Sequence, residues 1–259
     1  MLEKVSSLDA DHIIYDLEDG VPSKHKEDAR RSLRDHLADG ASGQGWVRCN
    51  PATSEAFAED MALLRQLPMM GIVLPKFENV GLIDKICTSY GLEGRQYIVI
   101  VESFSAVEML PRIAAQESVF GVGLGLEDLF SEFVIPNRQL GEVAKHVRLR
   151  TLVAARASGR ICIDGSSTEY ADEERVEAEC EESRDLGFDG KFTIHPRQVA
   201  VVNRLFSVSE ESRTWAQRIL EKSKREEGVG YTMVDGELIT PPKVAKAKII
   251  GEAMEKSND

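Results

Sequence analysis

Seven short apolar runs, several of them rich in Val and Ile, separated by longer polar stretches of helical character, constrain the fold of this chain more than any other feature. They are "HIIYDLED" (12–19), "WVRCN" (46–50), "GIVLPK" (71–76), "YIVIVES" (97–103), "VFGVGLGLED" (119–128), "RICID" (160–164) and "FDGKFTIHP" (188–196). Several show little polar alternation, as strands covered on both faces of a parallel sheet do. Between them, "EAFAEDMALLRQL" sets Phe57, Met61, Leu64 and Leu67 at helical spacing, facing a sheet. The acid-dense "STEYADEERVEAECEESRDLG" predicts a helix with a solvated glutamate face. Strands and helices in alternation predict repeated βα units. A (β/α)8 barrel takes about 250 residues, and this chain has 259. The expected fold class is therefore α/β, a TIM (β/α)8-type barrel. The strand count is one short, because residues 1–10 read as the tail of a helix with no strand ahead of it. Either the usual first strand is lacking or the sheet is open.

After about residue 207 the texture changes. "SVSEESRTWAQRILEKSKREE" predicts an amphipathic helix with Trp215, Ile219 and Leu220 inward. "GVGYTMVDGELITPP" predicts an irregular loop or small hairpin around Asp235-Gly236, and "KVAKAKIIGEAMEK" a last helix. The expected organisation is a (β/α) barrel domain over 1–206 and a C-terminal helical extension over 207–259.

A formal net charge of -12 argues against a sequence-independent grip on nucleic acid and against an anionic membrane as partner. No apolar run approaches the roughly 20 residues of a membrane span, and "MLEKVSSLDAD" reads as neither a basic leader nor a secretory core. Cys49, Cys87, Cys162 and Cys180 are scattered with no C-x-x-C pair, which predicts reduced buried thiols. The expected location is cytoplasmic, or the mitochondrial matrix in a eukaryote.

The chemistry sits where the runs end. Asp16, Glu18 and Asp19 follow the first, Arg48 and Asn50 the second, and Lys76 the third. Glu102 and Ser103 follow the fourth, Glu127 and Asp128 the fifth, Asp164 the sixth and His195 the seventh. In parallel α/β folds these positions meet at one mouth. Charges are scarcer at the run beginnings, where Asp11, Arg95 and Arg160 are the exceptions. Converging carboxylates raise one another's pKa unless a cation compensates them. All-oxygen donors suit Mg²⁺ or Mn²⁺ rather than zinc. Magnesium takes one or two carboxylates and keeps its waters, so the acids at 16–19 are expected to serve its outer shell. Arg48 reads either as an ion-pair partner of these acids or as a planar fork for a substrate carboxylate or thioester oxygen. A Schiff-base role for Lys76 is disfavoured, since surrounding acids raise rather than lower an amine pKa. His195 reads as a structural hydrogen-bonder before it reads as a base. The glycines of "GLGLED" let backbone approach a ligand, but Leu126 breaks the dinucleotide fingerprint.

These segments resemble the citrate lyase beta-subunit-like branch of the HpcH/HpaI aldolase family. The resemblance is carried by "IIYDLEDGVPSKHKEDAR", "VRCNP", "GIVLPKFEN", "VESFSAVEMLPRIA", "GLGLEDL", "IDGSSTEYAD", "LGFDGKFTIHPRQVAVVNRLFSVSEE" and "GELITPP", in family order across residues 12–245. It implies a (β/α)8 barrel assembled as a homotrimer or hexamer, with magnesium held at Glu102 and Asp128. It also implies a thioester-side arginine at Arg48, and Asp16, Glu18 and Asp19 supporting metal-bound waters. Two departures stand out. The family's opening strand, roughly "S-x-L-Y-V-P-G-N", which helps hold coenzyme A, has no counterpart. The aspartate that many members carry in the C-terminal loop, able to act on a neighbouring subunit's site, is Thr240 here.

The function expected from residues and resemblance together is Mg²⁺-dependent carbon–carbon cleavage of a 3-hydroxy-3-carboxy acyl thioester, such as citramalyl-CoA, malyl-CoA or a citryl thioester. The products would be an acetyl thioester and an oxo acid. A metal-dependent 2-oxo-4-hydroxy acid aldolase and a catalytically silent acyl-thioester-binding paralogue are the alternatives.

Overall fold

Each of the seven apolar runs overlaps a strand: β1 (Ile13–Asp16), β2 (Gly45–Arg48), β3 (Gly71–Leu74), β4 (Gln96–Val101), β5 (Val119–Leu124), β6 (Ile161–Asp164) and β7 (Gly190–Lys191). The computed structural model describes residues 5, 7–38, 45–69, 71–136, 140–225, 232–234 and 237–256. Every strand pairs in parallel with the next, giving a seven-stranded sheet in the order β1 to β7. The sheet is curled as a half-barrel. Its edges, β1 and β7, are not paired with each other among the described residues.

Helices fill the crossovers, as parallel pairing demands. They are α1 (Lys26–Ala38), α2 (Phe57–Leu64), α3 (Leu82–Tyr90), α4 (Phe104–Ala114), α5 (Leu126–Phe130), α6 (Gly141–Ala157), α7 (Glu173–Leu186) and α8 (Pro196–Phe206). Phe57, Met61 and Leu64 bury one face of α2, and Leu67 is buried just beyond its end. On the inner face of the curled sheet Trp46, Val73, Ile98 and Ile100 are buried together. Ile14, Phe120, Ile163 and Phe192 pack against them.

Three boundaries differ from expectation. The run at 119–128 stops being strand at Leu124, and its acids belong to α5. The run at 188–196 yields only Gly190–Lys191, an edge strand with one neighbour. Residues 5 and 7 are in 3-10 conformation and 8–10 are irregular, while 1–4 and 6 lie outside the described residues.

The chain divides into two compact units, Met1–Leu205 and Phe206–Asp259. The second contains α9 (Glu210–Arg225), the antiparallel pair β8 (Thr232–Val234) and β9 (Glu237–Ile239), and α10 (Pro241–Lys256). Ala216, Ile219, Ile239 and Ala247 form its buried cluster, with Trp215 and Leu220 packed against it. Asp235 and Gly236 lie outside the described residues. Thr240 precedes α10, and its carbonyl accepts from the Lys243 and Val244 amides. No described helix is long and apolar enough to cross a membrane.

Candidate active site

Side chains alternate between the faces of a strand, and this parity decides which strand ends reach the inner mouth. Ile14, Trp46 and Ile100 pack on the inner face. Asp16, Arg48 and Glu102, each two residues further on, emerge at its C-terminal rim. β1 and β2 pair with Asp16 opposite Arg48. Arg48 donates from Nε and Nη2 to the two Asp16 carboxylate oxygens, both at 2.7 Å. The same two oxygens accept from the Glu18 and Gly20 amides at 2.9 Å, folding the acidic turn around them. Lys26, reaching back from α1, donates to the Leu17 and Glu18 carbonyls at 2.7 and 2.6 Å.

Glu18 is 2% exposed. Its carboxylate lies between two cations, with Arg48 Nη1 at 3.2 Å and Lys76 Nζ at 3.0 Å. Neither oxygen receives a well-directed hydrogen bond. Lys76 also reaches Asp19 at 3.5 Å. Its amide donates to Glu102 Oε2 at 2.7 Å. Asp128, exposed in the short α5, acts through its charge on both Glu102 and Lys76. The crowding of acids at 16–19 is thus offset first by the chain's own cations.

The electrostatics separate these groups. Burial raises the Asp16 pKa, but hydrogen bonding and charge from Arg48 outweigh it and hold the carboxyl low. Burial pushes Glu18 up despite Arg48 and Lys76. Glu102 is pushed up to about 7, by burial first; the Lys76 amide opposes this, and repulsion from Glu18 and Asp128 adds to it. Burial opposes the charge of Lys76, yet Glu18 and Asp19 hold its pKa above the ordinary range.

Parity also removes residues from the mouth. Ile163 packs on the inner face, so Asp164 points outward into the helical layer. There it is fully buried, pairing with Arg148 of α6 and Lys191 of β7 and accepting from the Ser183 hydroxyl of α7. Its expected place at the mouth is corrected: it ties a strand to its helices. Asn50 is likewise buried, donating to Asp60, and Ser103 caps α4 by accepting from the Ala106 amide. His195 stacks on Tyr170 with centroids 4.5 Å apart, and its Nδ1 accepts from the Arg197 amide.

Five carboxylates at the mouth face two cations, Arg48 and Lys76. Glu102 is a buried carboxylate with its pKa raised, and Glu18 keeps unused acceptor capacity. Such a donor set fits a hard divalent cation. Among the described residues no three His, Cys, Asp or Glu side chains form a metal cluster. Magnesium usually takes one or two carboxylates and keeps several waters. Gly125 leaves Glu102 its room: a methyl group at 125 would fall 2.7 Å from Glu102 Oε1.

The sequence model of the HpcH/HpaI aldolase/citrate lyase family matches residues 1–196. The (3S)-malyl-CoA thioesterase of Cereibacter sphaeroides is 32% identical over 253 residues, covering 95% of this chain and 87% of that one. The citrate lyase subunit beta-like protein of Mycobacterium tuberculosis is 30% identical over 244 residues, covering 92% and 86%. A crystal structure of the Mycobacterium tuberculosis CitE protein with magnesium, acetoacetate and coenzyme A superposes with a TM-score of 0.80. It is 29% identical, and the match covers 97% of this chain and 93% of that one.

Proposed function

The chain belongs to the HpcH/HpaI aldolase/citrate lyase family, and from this premise we propose that it is a Mg²⁺-dependent carbon–carbon lyase acting on a 3-hydroxy-3-carboxy acyl thioester. The observation that carries this reading is the inner-face group of Arg48, Glu18 and Glu102 at the C-terminal rim of a parallel curled sheet. The magnesium, acetoacetate and coenzyme A bound by the similar mycobacterial protein support it. Glu102 and Asp128 would hold the ion, which supplies Lewis-acid polarisation of substrate oxygens when bound.

In the reaction the substrate 3-hydroxyl gives its proton to a base or to solvent, the O–H electron pair becomes the C3=O bond of the oxo acid, and the C2–C3 bond breaks. The bond's electron pair passes to C2 as an enolate of the thioester, which then takes a proton to become the acetyl thioester. Arg48 suits the stabilisation of that enolate oxygen. A guanidinium has five N–H donors; Asp16 takes two and Glu18 faces a third. The remaining two are held in a fixed plane with no reorganisation left to make, the condition under which a donor helps a developing oxyanion most. The ion-pair and substrate-binding readings of Arg48 are therefore compatible.

Arg48→Ala should lower kcat on the order of 10²–10³-fold, the usual cost of a lost oxyanion donor, with circular dichroism unchanged. Near-normal turnover would remove Arg48 from the mechanism.

The similarity to a malyl-CoA thioesterase favours one second reading, hydrolysis of the thioester. Incubation with Mg²⁺ and malyl-CoA or citramalyl-CoA separates the two. Lyase action gives acetyl-CoA and an oxo acid, whereas hydrolysis gives a free coenzyme A thiol and the intact hydroxy acid. Selective cleavage of a free 2-oxo-4-hydroxy acid would favour an aldolase, and binding without turnover a silent paralogue. On this reading the protein works as a homo-oligomer, a trimer or hexamer, in a cytoplasmic setting.

A further inference from the structure

Lys76 is the one non-glycine residue with a positive φ among the described residues, at 48°. A left-handed backbone is uncommon for any side chain, whereas glycine adopts it freely. The strained residue sits two positions past β3, and both of its ends are used at the mouth. Its amide reaches Glu102 and its ammonium reaches Glu18 and Asp19. Glu18 in turn faces Arg48 Nη1.

We infer that Lys76 is a positioning residue for the lyase reaction, fixing Glu102 through its backbone amide and Arg48 through the carboxylate of Glu18. This rests on the reading of the site given above. The geometry explains why a lysine occupies a position where glycine would be unstrained. The turn brings the amide to Glu102, while the side chain closes the chain of charges Lys76–Glu18–Arg48–Asp16. With the ammonium gone, Glu18 has a single cation beside it. Its buried carboxylate, accepting no directed hydrogen bond, is free to re-aim, and Arg48, still held by Asp16, loses the fixed charge facing its Nη1 end. Partners standing behind metal ligands typically matter by 10–100-fold, and a loss of the same order is expected for a partner standing behind Arg48. The consequence belongs to kcat, since Arg48 acts on charge that develops during bond breaking, and not to substrate affinity.

The test uses the full chain and three variants. Lys76→Met removes the ammonium and keeps the amide; kcat should fall on the order of 10–100-fold with KM little changed. Lys76→Arg should recover most of the loss. Lys76→Gly should lose kcat as Lys76→Met does yet melt at a higher temperature, because only glycine is at ease at this φ. Calorimetric Mg²⁺ affinity should change less than kcat in all three, since each retains the amide to Glu102. A merely structural lysine would show none of this split. A Lys76→Met enzyme with the parent's kcat would overturn the inference.

A readout without metal or substrate keeps it decidable if the parent shows no turnover. In metal-free protein, Lys76→Met and Glu18→Gln should be non-additive in a urea double-mutant cycle, as groups in one ion pair are. Additive effects would overturn the inference. A parent that binds no Mg²⁺ and cleaves no thioester would sink the lyase reading alone.

Discussion

Gly125 offers the most local test of the mouth. Its φ of -121° is open to any residue, so Gly125→Ala reads space and not backbone strain. The added methyl would meet Glu102 Cγ first, with Oε1 at 2.7 Å and Cδ at 3.0 Å, so the whole side chain must shift and draw its carboxylate off the Lys76 amide. Calorimetry should show Mg²⁺ affinity weakened about tenfold or more, within the range for disturbed partners of metal ligands. Glu102→Gln and Asp128→Asn should each weaken it further, and unchanged titrations would refute their assignment. With the Glu102 pKa near 7, proton and metal compete: binding at pH 6 should be weaker than at pH 8 and accompanied by proton release. Much of this site was legible, because a glutamate placed directly after "IVIV" and three acids within four positions are costly without partners. The roles of Lys76 and Lys26 were not. A positive φ and a lysine that reaches back nine residues to a loop carbonyl leave no local mark in the sequence.

Among the elements, β6 shows what parity adds. Strands such as β3, β4 and β5 could be found from Val/Ile-rich runs, because a strand covered on both faces leaves a continuous apolar signature. The same continuity hides which face each residue takes. Asp164 was therefore placed at the mouth with Glu102, although Ile163 turns it outward into the helices. Helix α5 was missed for a related reason: five residues give too little periodicity to separate from the strand before them. The buried ionic knot at Asp164 has its own prediction. Asp164→Asn would leave Arg148 and Lys191 buried with much less compensation, and removal of one partner from such a group costs about 3–5 kcal/mol. A urea melt should register that loss. Burial raises the Asp164 pKa, but Lys191 and Arg148 outweigh it, so the folded carboxyl titrates below its ordinary 3.8. The stabilisation is present above pH 3.8 and disappears as pH falls through the lower folded value. Acid unfolding of the variant should therefore be less steep below pH 4 than that of the parent. Parallel acid limbs would mean that the knot contributes nothing.

At the scale of the whole molecule the two compact units differ in how much apolar surface each can hide. The larger buries the inner cluster around Trp46 and an outer layer that includes Tyr97, Val99, Met61 and Leu110. The smaller, Phe206–Asp259, closes on Ala216, Ile219, Ile239 and Ala247, two of them alanines with little area to bury. Domains of about 60 residues bury a smaller share of their surface than larger ones do and are marginal by themselves. The sequence changes texture near residue 207, where glycine, proline and charge replace the apolar runs. Opening free energies within one protein range from near zero to the global value, and segments with few buried apolar contacts lie at the low end. Native-state hydrogen exchange should therefore find α9 and α10 amides opening at distinctly lower free energy than those of β3, β4 and β5. Rising denaturant should merge the two classes only near the global transition. If α9 and α10 instead exchange with the same free energy and denaturant slope as β4, the units unfold as one, and the small core is more stable than the four buried side chains among its described residues account for.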